Sequence, residues 1–327
     1  MNVKDKSGII QNYFENLVEL IIKITENYRY EGKIDDALSF FKSNIQMMAF
    51  ENVRNADKSK FLIQYAKILQ QSKFIKEFNY DYEIIILTEA KDLAKSSNAK
   101  NLMADALDLI GTCIYSTGIL EGDYLKAINF FNEALNIRTE INDNLGLCKS
   151  YFNLGLYHQN IKDSNEEDYR KSFDYYQKGL KIAIEENFKL EKAYFYRHLA
   201  FFYHHNNDFE KSLQYHLNSA KLREEIGFKI SLQFSYFAMA MEYYFLKDFE
   251  NSLVYFKKAY QWALDVNRVE QLKVLIFRRG KDMIKVNGTE NAIKYYKLVL
   301  ESAKKVRDLE GIKEIELEIK NLSTNIK

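Results

Sequence analysis

Proline is absent from this chain of 327 residues. The strongest helix breaker is therefore missing, and helix ends have to be set by Gly, Asn and Asp. Cysteine is nearly absent too: Cys113 and Cys148 are the only two, which excludes a disulfide framework and a paired-cysteine metal site. A reducing, cytoplasmic setting is the simpler expectation. Neither charge sign dominates, since 47 Lys and Arg face 46 Asp and Glu. A general nucleic-acid binder carries a marked basic excess, so that class is not expected. Long apolar runs are lacking as well. Even Leu17 to Ile24 is broken by Glu19 and Lys23, whereas a membrane span needs roughly 20 apolar residues, and no signal peptide is evident. The 12 glycines form no phosphate-cradling loop, and there is no nucleophile elbow and no His-Glu-x-x-His. No cofactor, metal or catalytic constellation is expected, and the chain reads as a non-enzyme.

What the chain does have is apolar and aromatic mass: 47% hydrophobic residues, with 24 Tyr and 23 Phe. That is ample for a continuous core. It also has a repeat. Asp208-Phe209-Glu210-Lys211-Ser212-Leu213-Gln214-Tyr215 aligns without gaps on Asp248-Phe249-Glu250-Asn251-Ser252-Leu253-Val254-Tyr255. Gly288-Thr289-Glu290-Asn291-Ala292-Ile293-Lys294-Tyr295 follows more weakly, so a small residue recurs at 212, 252 and 292, every 40 positions. Earlier copies place it at Ser172, Ala127 and Ala37.

The residues inside these copies resemble the tetratricopeptide repeat. Its first helix carries a large residue, a small one, then an aromatic three positions on, as in Leu199-Ala200 with Tyr203 and Met239-Ala240 with Tyr243. Leu154-Gly155 fits, with His158 in the aromatic place. The second helix is matched by Ala127/Phe131/Ala134, Ser172/Tyr176/Gly179 and Ser252/Phe256/Ala259. The terminal proline of the motif is missing, and the spacing of 40 exceeds the usual ~34. Longer helices account for both, as in the extended repeats of MalT-like and Rap-like bacterial arrays.

This resemblance implies an all-α, right-handed solenoid superhelix of about seven helix pairs. They are expected near 7–30/34–50, 57–77/80–97, 98–117/123–141, 144–160/168–186, 188–205/208–226, 228–246/248–266 and 268–286/289–306. Residues 1–97 read as degenerate pairs, 98–306 as regular extended repeats, and 307–327 as a C-terminal capping helix with Leu309, Ile312, Ile315, Ile319 and Leu322 on one face. By propensity alone Glu83-Ile84-Ile85-Ile86-Leu87 is also a strand candidate, but its neighbours favour a buried helix. Rap-like phosphatases carry a separate N-terminal bundle with a catalytic amide. Here Tyr28, Gly32, Ala37 and Phe41 already sit in repeat register, so that activity is not implied.

In the family, first helices line the concave face, and the register assigns its residues. The third pair offers Asp105, Asp108, Thr112 and Tyr115; the fifth Tyr194, Arg197, Phe201 and His204; the sixth Phe234, Phe237, Met241 and Tyr244. The seventh offers Val274, Phe277, Lys281 and Ile284, with Arg278 and Lys285 alongside. The groove is thus expected to run from an acidic start through an aromatic, methionine-rich middle to a basic end. Such a surface suits an amphipathic helix or extended peptide, and the basic stripe suits acidic side chains or a C-terminal carboxylate. The same aromatics also have a plain alternative, packing against the preceding helix. Four of the five histidines fall between His198 and His216, but His198, His204 and His205 lack the i, i+4 spacing of two ligands on one helix face. A chaperone-binding clamp finds only a partial echo in Asn153, Arg197 and His198, without its Lys-x-x-x-Asn start. The expected function is a scaffold or adaptor that holds a protein segment or peptide. The alternative is a peptide- or ligand-sensing regulator whose pitch changes on binding and which acts through a partner. A homodimer through the convex face or the cap helix is compatible with the sequence.

Overall fold

The computed structural model describes residues 3–73, 79–121, 124–159 and 165–324. Among them there is no strand. In order the helices are α1 (Val3–Tyr30), α2 (Ile34–Asn44, continued by a 3-10 turn Ile45–Ala49), α3 (Asn55–Lys73), α4 (Asp81–Ser96), α5 (Lys100–Glu121), α6 (Ala127–Glu140), α7 (Asn144–Gln159) and α8 (Glu166–Glu185). Then come α9 (Lys189–His205), α10 (Phe209–Glu225), α11 (Leu232–Phe245, preceded by a 3-10 turn Lys229–Ser231), α12 (Phe249–Asp265), α13 (Val269–Asn287), α14 (Thr289–Val306) and α15 (Leu309–Thr324). The Ile84–Leu87 run is helical, inside α4. No described helix is long and apolar enough to cross a membrane. The chain forms two compact units, Met1–Phe195 and Tyr196–Lys327.

Without proline, the helices stop on left-handed residues. Asn98, Asn142, Asn187, Asn207 and Asn267 all have φ between 52° and 60°. Asparagine is the side chain that tolerates this region best after glycine. The residue after each closes the end by donating its N–H to a carbonyl five positions back: Asp143 to Arg138 at 3.0 Å, Phe188 to Ala183 at 2.9 Å and Arg268 to Ala263 at 2.7 Å. This is the bond of a Schellman end. Asp208 and Asp248 then start the next helix, their carboxylates accepting from the N–H of Lys211 and Asn251 at 3.1 Å. Stop and start are therefore encoded in adjacent residues, which is why the turns are so short.

The recurring small residue is where the two helices of a pair touch. Ser212 donates its hydroxyl to the Ala200 carbonyl at 2.9 Å, and forty residues later Ser252 does the same to Ala240 at 2.8 Å. In the second unit, Phe256, Ala259, Tyr260, Tyr295, Tyr296, Val299 and Ile315 form a continuous core under α11 to α15. In the first, Phe41 meets Phe61 edge-on at 5.0 Å, and Tyr124, Phe131, Leu154 and Tyr157 form a cluster further along the chain.

Candidate functional site

The acidic start of the expected groove is an internal ion network. Arg138 of α6 is fully buried; Asp105 accepts from it at 2.7 Å, Asp108 accepts a second bond, and Ser150 a third at 2.7 Å. Burial drives the Asp108 carboxyl up, whereas at Asp105 the cations Lys149 and Arg138 outweigh burial and hold it down. Tyr115 is buried and donates to the Leu156 carbonyl at 3.1 Å; Thr112 is half-buried. These acids balance a buried cation, which would be costly unpaired.

The aromatic middle is likewise core. Phe234, Phe237, Met241 and Tyr244 are each less than a tenth exposed. Phe237 meets Phe256 edge-on at 5.7 Å, and the Tyr244 hydroxyl donates to the Asn291 carbonyl at 3.0 Å. Phe234 is covered by the Arg197 guanidinium, 5.9 Å from its ring centre. Only Tyr243 and Phe245 of α11 escape burial. The helix is wrapped on nearly every side, so a first-helix register that marks a face does not mark an open one here.

The fifth-pair residues divide. Tyr194 belongs to the first unit, its ring 5.4 Å from Phe152. Arg197, Phe201 and His204, all half-buried, gather in the second. Arg197 lies over Phe201 at 5.6 Å. The His204 Nδ1 is 3.0 Å from the Glu242 carboxylate, and its Nε2 is 2.7 Å from Nη2 of Arg279. Behind it His216 is fully buried, 3.8 Å from Glu242, too far for a hydrogen bond. Burial, then Arg197, push the imidazoles of His216 and His198 well below the usual histidine value. Among the described residues no three His, Cys, Asp or Glu side chains converge as a metal site.

The basic end is open. Arg278, Lys281 and Lys285 are exposed along α13. Arg278 and Lys281 line a cleft of about 620 Å³ between α13 and α15, whose floor is Val274, Phe277 and Leu317. Val274 is 48% exposed and Leu317 59%. Glu314 and Glu318 form the opposite rim. Lys273 at the inner edge is nearly buried, with Glu270 at 3.0 Å, Glu314 at 3.1 Å and Glu310 at 3.6 Å. Sequence reasoning placed one wall of this cleft and missed the other. That wall is the helix expected as the C-terminal cap, where Leu317, an apolar residue off the stripe of Ile312, Ile315 and Ile319, was a usable signal. Glu242 and Arg279 were also missed, and no local pattern announces them.

The described elements define an all-helical repeat protein. The sequence profile of the tetratricopeptide repeat matches residues 235–265. Among solved structures, the apo form of RapI is similar over 89% of this chain and 99% of its own, with 13% identity and a TM-score of 0.59. NprR in complex with its cognate peptide NprX matches over 95% of this chain and 88% of its own, at 14% identity and 0.58. A signal transduction ATPase with a tetratricopeptide repeat sensor, from Pyrococcus horikoshii, matches 95% of this chain at 18% identity and 0.56, and the chain spans 47% of that protein's length. No curated protein matches the sequence. Residues 235–265 carry a tetratricopeptide repeat, and the fold of the chain resembles the Rap-like arrays.

Proposed function

We propose that the chain is a non-catalytic binder of a peptide or protein segment, and that the ligand lies in the cleft between α13 and α15. The observation that carries this reading is the exposed apolar floor of Val274 and Leu317 between a basic and an acidic rim. Exposed apolar side chains in a concave, charge-flanked site are what a partner covers. An apolar anchor would sit on the floor, with acidic residues of the ligand against Arg278 and Lys281, and Lys285 extending the basic stripe. Arg197, Phe201 and His204 form a second, half-buried stretch of first-helix surface. Phe234, Phe237, Met241 and Tyr244 act beneath it as support. The two thiols, Cys113 and Cys148, are buried and unpaired, and burial lifts both to about 12; such inert thiols suit a cytoplasmic protein.

Binding of a peptide array to the full chain, compared with V274D/L317D and R278E/K281E, tests the assignment. Either pair is expected to weaken the best ligand at least about tenfold, the scale of losing one anchor. Unchanged affinity in folded variants would move the site elsewhere. NprR, a structural neighbour, is described in complex with its cognate peptide, which favours a second reading, a peptide-sensing regulator. Small-angle scattering with and without the bound peptide separates the two: a regulator changes dimensions on binding, and a passive scaffold does not.

A further inference from the structure

His204 touches two side chains whose roles chemistry fixes. Arginine has only donors, so the contact of 2.7 Å between Arg279 Nη2 and His204 Nε2 requires a lone pair on that nitrogen. A carboxylate only accepts, so Nδ1, 3.0 Å from Glu242, carries the proton. His204 is thereby specified as the neutral Nδ1–H tautomer. The three residues lie in the second unit, on α9, α11 and α13, the first helices of three successive pairs, so one imidazole joins a helix to the next but one.

We propose that this triad is a proton-operated latch: protonation of His204 releases Arg279 and lets α13 part from α9. The step adds one proton to Nε2, and the lone pair that accepted from the guanidinium becomes an N–H bond. Two N–H groups of like charge then face each other at a separation suited to a hydrogen bond, while the Glu242 contact persists as an ion pair. The charged and titratable groups of this cluster come from four helices. Arg197 and His198 lie on α9, His216 and Arg223 on α10, Glu242 on α11 and Arg279 on α13. The rings of Phe209 and Phe245 flank His204 at 5.4 and 5.1 Å, leaving its side chain 18% exposed to protons. His216 lies behind it, fully buried, so His204 is the histidine of this group placed to respond to the medium.

The test uses the full chain with isotope-labelled histidine. At pH about 8 the nitrogen shifts should report His204 as the Nδ1–H tautomer, the signal being assigned by its loss in H204Q. Amide exchange along α13, corrected for the intrinsic pH effect, should then quicken about tenfold when the pH is lowered to about 5, the factor expected for losing one charge-assisted bond. H204Q offers a donor to Glu242 and an acceptor to Arg279 without titrating, so it should abolish that step. R279Q should abolish it independently, with helix content by circular dichroism showing that either variant is folded. An Nε2–H tautomer, a wild type without the step, or a step that survives in both variants would overturn the latch.

Discussion

At position 280 a single methyl group decides the packing of two helices. A side chain added to Gly280 of α13 would run into the ring and hydroxyl of Tyr296 on α14, which is buried and donates to the Phe277 carbonyl at 3.5 Å. Alanine is the better helix former by about 1 kcal/mol, but overpacking a rigid ring costs about 1–3 kcal/mol. Crowding wins, so G280A is expected to be less stable in urea by about 1 kcal/mol; a stabilised variant would mean that Tyr296 yields. The same scale separates core from open surface. Phe237 is buried against Phe256 and Val274 is half open. F237A should therefore lose about 3–5 kcal/mol of stability, while V274A stays within about 0.5 kcal/mol of wild type. Equal losses in the denaturation midpoint would contradict this division.

Between elements, the charges that join α1 to α3 make one contact sensitive to acid. Glu26 receives Lys67 at 3.0 Å and Arg29 at 2.5 Å, together with the amide of Gln64. Burial acts to raise its carboxyl, but Lys67 and Arg29 outweigh burial and bring it from 4.5 to about 2. Because the folded value lies below the unfolded one, the stabilisation is complete above about pH 4.5 and is lost as the pH falls towards 2. E26Q should be less stable than wild type at pH 7 by about 1–3 kcal/mol, and the gap should close through that window when melting is followed against pH. A gap independent of pH would mean that Glu26 works by shape alone. Element positions of this kind were legible in advance. Helix ends followed from Asn and Asp, and pair contacts followed from Ser212, Ser252 and Ala292, because both depend on residues near in sequence. Of the three stretches expected to line a groove, only the basic one, Arg278, Lys281 and Lys285, is exposed. In α11 the aromatics and methionines occupy every side, so helical periodicity gives no contrast between face and core. The Arg279 contact to His204 spans 75 positions, beyond any local pattern.

At the scale of the molecule, a helical-repeat array stores its stability between neighbours, and the α15 end makes that measurable. Ile315 and Leu322 bury themselves on the second unit's core, and Glu310 and Glu314 supply two of the three carboxylates around Lys273. Cutting the chain after Asp308 removes all of these, uncovers the core beneath Ile315 and leaves Lys273 with Glu270. Burying one Ile and one Leu is worth about 1.5–3 kcal/mol each, so α13 and α14 should lose most of their protection in hydrogen exchange. The effect should fade through α11 and α12 and vanish in α1 to α4, because each repeat of such an array is held by its neighbours in the chain. A cooperative globular fold would instead lose protection everywhere at once. Exchange followed peptide by peptide decides between them: a uniform loss would show that the chain unfolds as one body and that repeat-by-repeat reasoning fails for it. The truncation also removes one wall of the proposed cleft, so any peptide held by Val274 and Leu317 should be released even where the first unit remains fully protected.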